Sequence, residues 1–364
     1  MMDNNSNKEA IKKNIGSISD PDLGKTLAEL DAIKNISIDG RKITIDIELV
    51  QPIHWVAESI NTKCAEILEG LVPGCESEIN FKEKEQDYTN REYLKNVKNI
   101  IAVASGKGGV GKSAISSNIA SALSLSGAKV GILDGDVYGP SQPTMFGLSD
   151  NTLEAYETDE GKTVAYPLEQ YDIKVASMGF ILNREQAAIV RGPMLAGYFT
   201  LLFEQVEWGP LDFLVFDLPP GTGDIQLTLT QKIPLTGSVI VTTPQEISVS
   251  DVRRSIAMFK KVDVDILGII ENMSYFVPPD MPDKKYYIFG KGGGKRVADE
   301  SETAFLGEVP LNIKMRENND SGKPIVIADP EGNQAKVLKD ITAKIVSQIR
   351  KRNYENSGSL NIQI

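Results

Sequence analysis

The stretch "SGKGGVGKSA", Ser105–Ala114, lies between an apolar run, "NIIAVAS", and a helical pattern, "AISSNIASALSLSG". Glycines at these spacings let backbone N–H groups turn inward on phosphate oxygens, and the helix that follows adds the positive end of its dipole. Strand, glycine-rich loop, lysine, serine and helix in this order are the context in which such a loop binds a nucleotide. The expected phosphate ligands run from Gly106 through Lys107, Gly108, Gly109, Val110 and Gly111 to Lys112 and Ser113. Lys112 is placed to reach the β and γ phosphates and Ser113 to hold Mg²⁺, so ATP and Mg²⁺ are the expected cofactors. Lys107 stands too early in the loop to duplicate Lys112. A charge there suits phosphates that arrive from a facing subunit.

Outward from the loop, short apolar runs alternate with helical patterns: "KVGILD", "IKVASM", "LDFLVFDL", "GSVIVTT" and "ILGIIEN". Such runs read as buried parallel strands, and strands separated by helices build a doubly wound sheet. The predicted fold class is α/β, a mostly parallel, doubly wound P-loop NTPase domain preceded by a small α+β domain. Two of the strands end in acids. "VGILDGDVYGP" carries Asp134 and Asp136, whose spacing puts both on one side of an extended segment. "LDFLVFDLPPGTGD" puts Asp217 at the end of a strongly apolar strand, where an acid is costly unless paired or near a cation. Asn272 in "IIENM" ends a later strand, where an amide reads an adenine edge or is simply an ordinary strand-end residue.

Residues 1–81 read as an αββαβ unit in which "IKNISI" and "KITIDIELV" flank Asp39–Gly40, a pair suited to a tight hairpin turn. Residues 82–98, "KEKEQDYTNREYLKNVK", are charged, lack apolar periodicity and read as a linker. The large domain is expected over 99–351, closed by an amphipathic helix from about Gln334 to Lys351, and residues 352–364 read as a polar tail. A chain of 364 residues that is 41% hydrophobic buries a sizeable core. Its net charge of −11 argues against a nucleic-acid partner. The start lacks a signal-peptide run, and no segment approaches the roughly 20 apolar residues that span a bilayer, so the expected location is cytoplasmic, with no membrane partner. Two cysteines are too few for a disulfide framework, and one histidine, His54, cannot build a His-rich metal cluster.

The two-lysine loop resembles that of the MinD, ParA and nitrogenase iron-protein class, in which the early lysine reaches across a nucleotide-sandwich dimer. That resemblance implies a homodimer and makes Lys107, Lys112 and Asp136 the catalytic set. Lys107 stabilises charge on the partner's ATP, as an arginine finger does, and Asp136 orients the attacking water. It also implies a magnesium site of Ser113, Asp134 and Asp217, a switch in "PPGTGD", and an adenine contact at Asn272. The stretches "MGFILNREQAAIVRGPM", "WGPLDFLVFDLPPGTGD", "TTPQEISVSDVRRSI", "GIIENMSYF" and "FGKGGGKRVA" resemble the Mrp/ApbC family of iron–sulfur cluster carriers, and the front domain, with its acidic turn "SDPDLG", is similar to the assembly domain fused to bacterial members. The resemblance covers residues from about 10 to 350. It implies a slow ATPase that accepts a 4Fe–4S cluster and hands it to apo iron–sulfur proteins alongside cluster-assembly factors.

The sequence departs from that family at one place that matters. Many members carry Cys-x-x-Cys after "ENMSYF"; here the loop reads "ENMSYFVPPDMPDKKYYIFG", with Pro278 and Met281 at those positions. Neither is a good iron ligand. The front domain likewise has "QPIHW" where many relatives carry a reactive cysteine. Cys64 sits within a helix and reads as a buried apolar residue, which leaves Cys75, after the Pro73–Gly74 turn, as the candidate iron–sulfur ligand. Otherwise the chain serves assembly as an ATP-driven scaffold. The rival reading is a MinD/ParA-like positioning switch without cluster chemistry. Against a membrane-binding form of it, Val337, Leu338, Ile341, Ile345, Val346 and Ile349 are expected to pack the last helix on the domain. Electron transfer of the nitrogenase type needs cluster cysteines in the ATPase domain, and that domain has none.

Overall fold

A computed structural model describes residues 4–86, 88, 91–159, 161, 163–181, 197 and 201–359. The chain divides into two compact units, Met1–Asp87 with Val346–Ile364 and Tyr88–Ile345.

The first unit contains α1 (Asn4–Gly16), β1 (Ile33–Asp39), β2 (Lys42–Leu49), α2 (Val56–Leu71) and β3 (Glu76–Glu83). Strands β1 and β2 pair antiparallel, with Asp39 opposite Lys42 across a turn in which Gly40 takes φ +61°, a conformation that glycine reaches without strain. Strand β3 adds parallel to β2. Along β2 the period of two sends Ile43, Ile45, Ile47 and Leu49 to one face, where they share a core with Ile11 and Ile15 of α1 and Ile60, Cys64 and Leu68 of α2.

The second unit runs β4 (Val97–Ala104), α3 (Lys112–Leu125), β5 (Val130–Asp134), the single turn α4 (Gln142–Met145), β6 (Ala155–Glu157), β7 (Thr163–Ala165), β8 (Leu168–Gln170), β9 (Ile173–Ser177) and β10 (Leu211–Asp217). It continues with α5 (Asp224–Lys232), β11 (Gly237–Thr242), α6 (Glu246–Lys261), β12 (Ile266–Phe276), α7 (Gly293–Glu300), β13 (Phe305–Leu311), α8 (Ile313–Asp320) and α9 (Ile325–Ala328), and the last helix, α10 (Asn333–Ser359), begins in it. Eight strands form the main sheet in the order β13-β12-β11-β4-β10-β5-β9-β8, all parallel except the β8–β9 edge pair. This is the mostly parallel, helix-covered sheet that the alternating runs predict. Strand β10 is buried at every position, as a strand covered on both faces must be. Its register sets Asp217 opposite Asp134 at the end of β5 and Val103 in β4, two carboxylates beside the strand that feeds the glycine loop.

Sequence patterns end the large domain at residue 351 and make 352–364 a polar tail. Helix α10 instead runs to Ser359, and from Val346 onward it belongs to the first unit. The reason is Arg350, which is fully buried. Its guanidinium donates to Asp20 at 2.9 and 2.6 Å and to Asp22 at 2.6 Å, while Nε donates to the Val50 carbonyl at 3.1 Å. Asp20 in turn accepts the N–H groups of Asp22 and Leu23, so the acidic turn of "SDPDLG" is built around this arginine. The Asn353 amide donates to the Gln51 carbonyl at 3.0 Å. Breaking a buried pair strands the partner charge, so Arg350→Ala should destabilise the first unit by about 3–5 kcal/mol. Urea unfolding followed through that unit checks this, and a change under about 1 kcal/mol would refute it.

The expected apolar face of α10 is buried at Leu338, Ile341, Ile345, Val346 and Ile349. No helix among the described residues is long and apolar enough to cross a membrane. Of the motifs read from sequence, "RGPM", residues 191–194, lies outside the described residues.

Candidate nucleotide site

The loop leaves the centre of the sheet at Ala104 and re-enters as α3, with Ser105 Oγ donating to the Lys107 carbonyl at 3.0 Å. Only glycine fits at Gly106, where a Cβ would stand 2.4 Å from the Cβ and 2.5 Å from the carbonyl carbon of Asp251 on α6. Gly111 has φ +80°, and a Cβ there would lie 2.3 Å from the amide nitrogen of Asn272. That nitrogen donates to the Val110 carbonyl at 2.8 Å. Asn272 does not end its strand, since β12 runs on to Phe276; it braces the loop from within that strand, and its amide oxygen accepts no hydrogen bond among the described residues. At Gly108 and Gly109, by contrast, an added Cβ would meet nothing within 4 Å. A braced loop with an open middle, at a helix N-terminus, is a cradle with room for phosphate. The Lys107 ammonium makes no hydrogen bond or ion pair with any described residue.

Behind the loop, Lys112 is buried and paired with Asp217, which is fully buried. Asp217 also accepts from Ser116 Oγ at 2.8 Å and from the Gln142 amide at 2.9 Å. The same amide reaches the Ser113 carbonyl at 3.2 Å, and Lys112 Nζ reaches Ser113 Oγ at 3.3 Å. Asp134 accepts the N–H groups of Asp136, Ser141 and Gln142 at 3.1, 2.9 and 3.0 Å and the Ser177 hydroxyl at 3.2 Å. Burial, reinforced by the nearby Asp217 carboxylate, pushes the Asp134 carboxyl well above the usual carboxylate range, and the donated N–H groups and Lys112 offset only part of this. Two carboxylates against one ammonium leave the pocket short of positive charge, which suits a divalent cation. Asp136 is half-buried, with Oδ1 accepting from the Gly139 N–H at 3.1 Å. It lines a cleft of about 610 Å³ together with Tyr138, Pro219, Pro220, Ile225 and Gln226.

The family of NUBPL iron-transfer P-loop NTPases matches residues 96–346, and the iron–sulfur cluster assembly protein family matches residues 8–80. The chain belongs to the NUBPL iron-transfer P-loop NTPase family. It is 44% identical over 345 residues to an iron–sulfur cluster carrier protein of Synechocystis, covering 94% of this chain and 97% of that one. A Dictyostelium discoideum iron–sulfur cluster transfer protein NUBPL is 48% identical over 264 residues, covering 72% of this chain and 80% of that one. Among solved structures, a nucleotide-binding protein of Archaeoglobus fulgidus in complex with ADP matches with a TM-score of 0.58 and 36% identity, covering 68% of this chain and 94% of that one. The MinD cell-division ATPase of Pyrococcus furiosus, at 21% identity and a TM-score of 0.50 over 68% of this chain and 98% of that one, shares the fold. These findings confirm the resemblance read from the motifs.

The loop after β12 lacks the Cys-x-x-Cys pair that the resemblance leads one to look for. The Met281 N–H donates to the Pro278 carbonyl at 3.1 Å, so the two residues close one tight turn, and neither brings a thiolate to it. Cys64 is fully buried and burial pushes its thiol up to about 11, which disfavours the thiolate that would ligate iron. Cys75 is half-buried at the start of β3, in the other unit from the nucleotide loop. The structure thus brings Lys112, Ser113, Asp134 and Asp217 into one hydrogen-bonded cluster and sets Asp136 at its edge, while Cys75 belongs to the other unit. Sequence reasoning missed Gln142, Ser116 and Ser177, whose polar groups complete the cluster. No motif marks them, since each is recruited by its place behind the loop.

Proposed function

We propose that this protein is a Mg²⁺-dependent ATPase of iron–sulfur cluster delivery, acting as a cytoplasmic homodimer that passes clusters to apo iron–sulfur proteins together with assembly factors. The observation that supports it most is the loop lysine and two strand-end carboxylates gathered in one buried cluster, in a chain whose front unit matches an iron–sulfur assembly family. In this reading the amides of Gly106 to Ser113 and the Lys112 ammonium bind the phosphates. Ser113, Asp134 and Asp217 would hold the magnesium, which would supply positive charge to the phosphates. Lys112 is shared between Asp217 and the phosphates, so nucleotide entry loosens the pair that closes the pocket. Asp136 accepts a proton from the attacking water and aligns it. The free amide oxygen of Asn272 would be available to the base. Iron chemistry is assigned to residues 1–81, where Cys75 is the accessible thiol. The turn of Pro278 and Met281 favours a division of labour in which a partner in assembly supplies most of the thiolates.

Lys107 is the residue that makes this a dimeric reaction. Lys107→Ala should bind ATP as the parent does and lose turnover on the order of 10²-fold, because its contact is made to the partner's nucleotide. Mixing it with Lys112→Ala gives the decisive result: heterodimers pair a copy that binds ATP with one that supplies Lys107. The mixture should hydrolyse ATP faster than either variant alone. A Lys107→Ala protein with parental turnover would remove the cross-dimer role.

A further inference from the structure

Gln142 opens the single turn α4 and is fully buried. Its amide nitrogen is committed twice, to Asp217 Oδ2 at 2.9 Å and to the Ser113 carbonyl at 3.2 Å. Both partners only accept, which fixes the orientation of the amide: nitrogen toward the carboxylate, oxygen away from it. Its backbone N–H meanwhile holds Asp134 at 3.0 Å. One residue therefore touches both carboxylates and the main chain of the serine proposed for the magnesium site. The remaining atom, Oε1, is buried and has no hydrogen-bond partner among the described residues. A buried acceptor left unpaired inside an otherwise satisfied network calls for a donor.

We propose that Gln142 is a positioning residue of the metal. Its amide nitrogen ties Asp217 to the main chain of Ser113 and its backbone N–H holds Asp134, so one residue fixes the spacing of the carboxylates that would hold the cation. The inference rests on the Mg·nucleotide reading above. It adds that this chain tunes its metal affinity from outside the ligand set, through a residue that belongs to no nucleotide motif.

The test is a fluorescent-ADP titration of the full-length protein against Mg²⁺ and, separately, in EDTA. Gln142→Leu removes both amide functions, and Gln142→Met, closer in volume, is run beside it so that misfolding of one variant does not decide the matter. The half-saturating Mg²⁺ concentration should rise by about tenfold or more, while ADP affinity in EDTA stays as in the parent. Unchanged Mg²⁺ dependence in a folded variant would overturn the inference and leave the nucleotide reading standing. Equal loss of ADP affinity with and without Mg²⁺ would overturn it too, as the mark of a purely structural residue. Parent protein that takes up no ADP would sink the nucleotide reading and this inference with it.

Discussion

Lys112→Ala should bind no measurable ATP or ADP, and it should also be less stable by about 3–5 kcal/mol, because Asp217 is then a buried carboxylate without its cation. The two effects have separate origins and can be separated. Lys112 is buried against Asp217, and the hydroxyl of Ser116 and the amide of Gln142 cannot neutralise that carboxylate on their own. Lys112→Ala, Asp217→Asn removes the stranded charge and should regain most of the stability while still binding no nucleotide. Thermal unfolding and calorimetric ADP titration of the parent, the single variants and the double variant form the cycle. A double variant no more stable than Lys112→Ala would show that the pair does not hold the pocket together. Nucleotide binding by Lys112→Ala at parental affinity would show that the loop is not a phosphate site.

Asp136→Asn is the second large effect, and it falls on chemistry alone. Asparagine keeps an oxygen for the Gly139 N–H, and the backbone N–H of residue 136 still holds Asp134, so the local turn survives. What disappears is a basic carboxylate at the edge of the cleft. ATP should still bind, and hydrolysis should fall by on the order of 10² or more. Binding and turnover lost in equal measure would instead place Asp136 among the magnesium ligands.

Most of the large unit can be read from local patterns. Buried parallel strands are apolar at nearly every position, so "LDFLVFDL" and "GSVIVTT" announce themselves, and the glycine loop carries its strand and helix beside it. The strand-end acids follow from the same pattern, since an acid closing an apolar run has few reasons to be there. What cannot be read is pairing across long distances. Arg350 meets Asp20 and Asp22 over more than three hundred residues, and nothing in "SQIRKRNYENS" distinguishes a buried arginine from solvated ones. That pairing is why the last helix runs past Lys351. Gly106 looks like any loop glycine until the backbone of α6 is seen against it. Asn272 and Gln142 are ordinary amides in sequence and become structural at the loop only because β12 passes it and α4 begins beside it.

If the nucleotide loop drives iron–sulfur delivery, cluster transfer must depend on it. An apo acceptor of a 4Fe–4S cluster is mixed anaerobically with iron, sulfide and thiol, and its cluster content is followed in the presence of the full-length chain. Acceptor loading should be faster with the parent protein and Mg·ATP than with parent and Mg²⁺ without nucleotide, and Lys112→Ala should give no such gain. Loading that is indifferent to the parent protein, or equally fast with Lys112→Ala, would contradict the account.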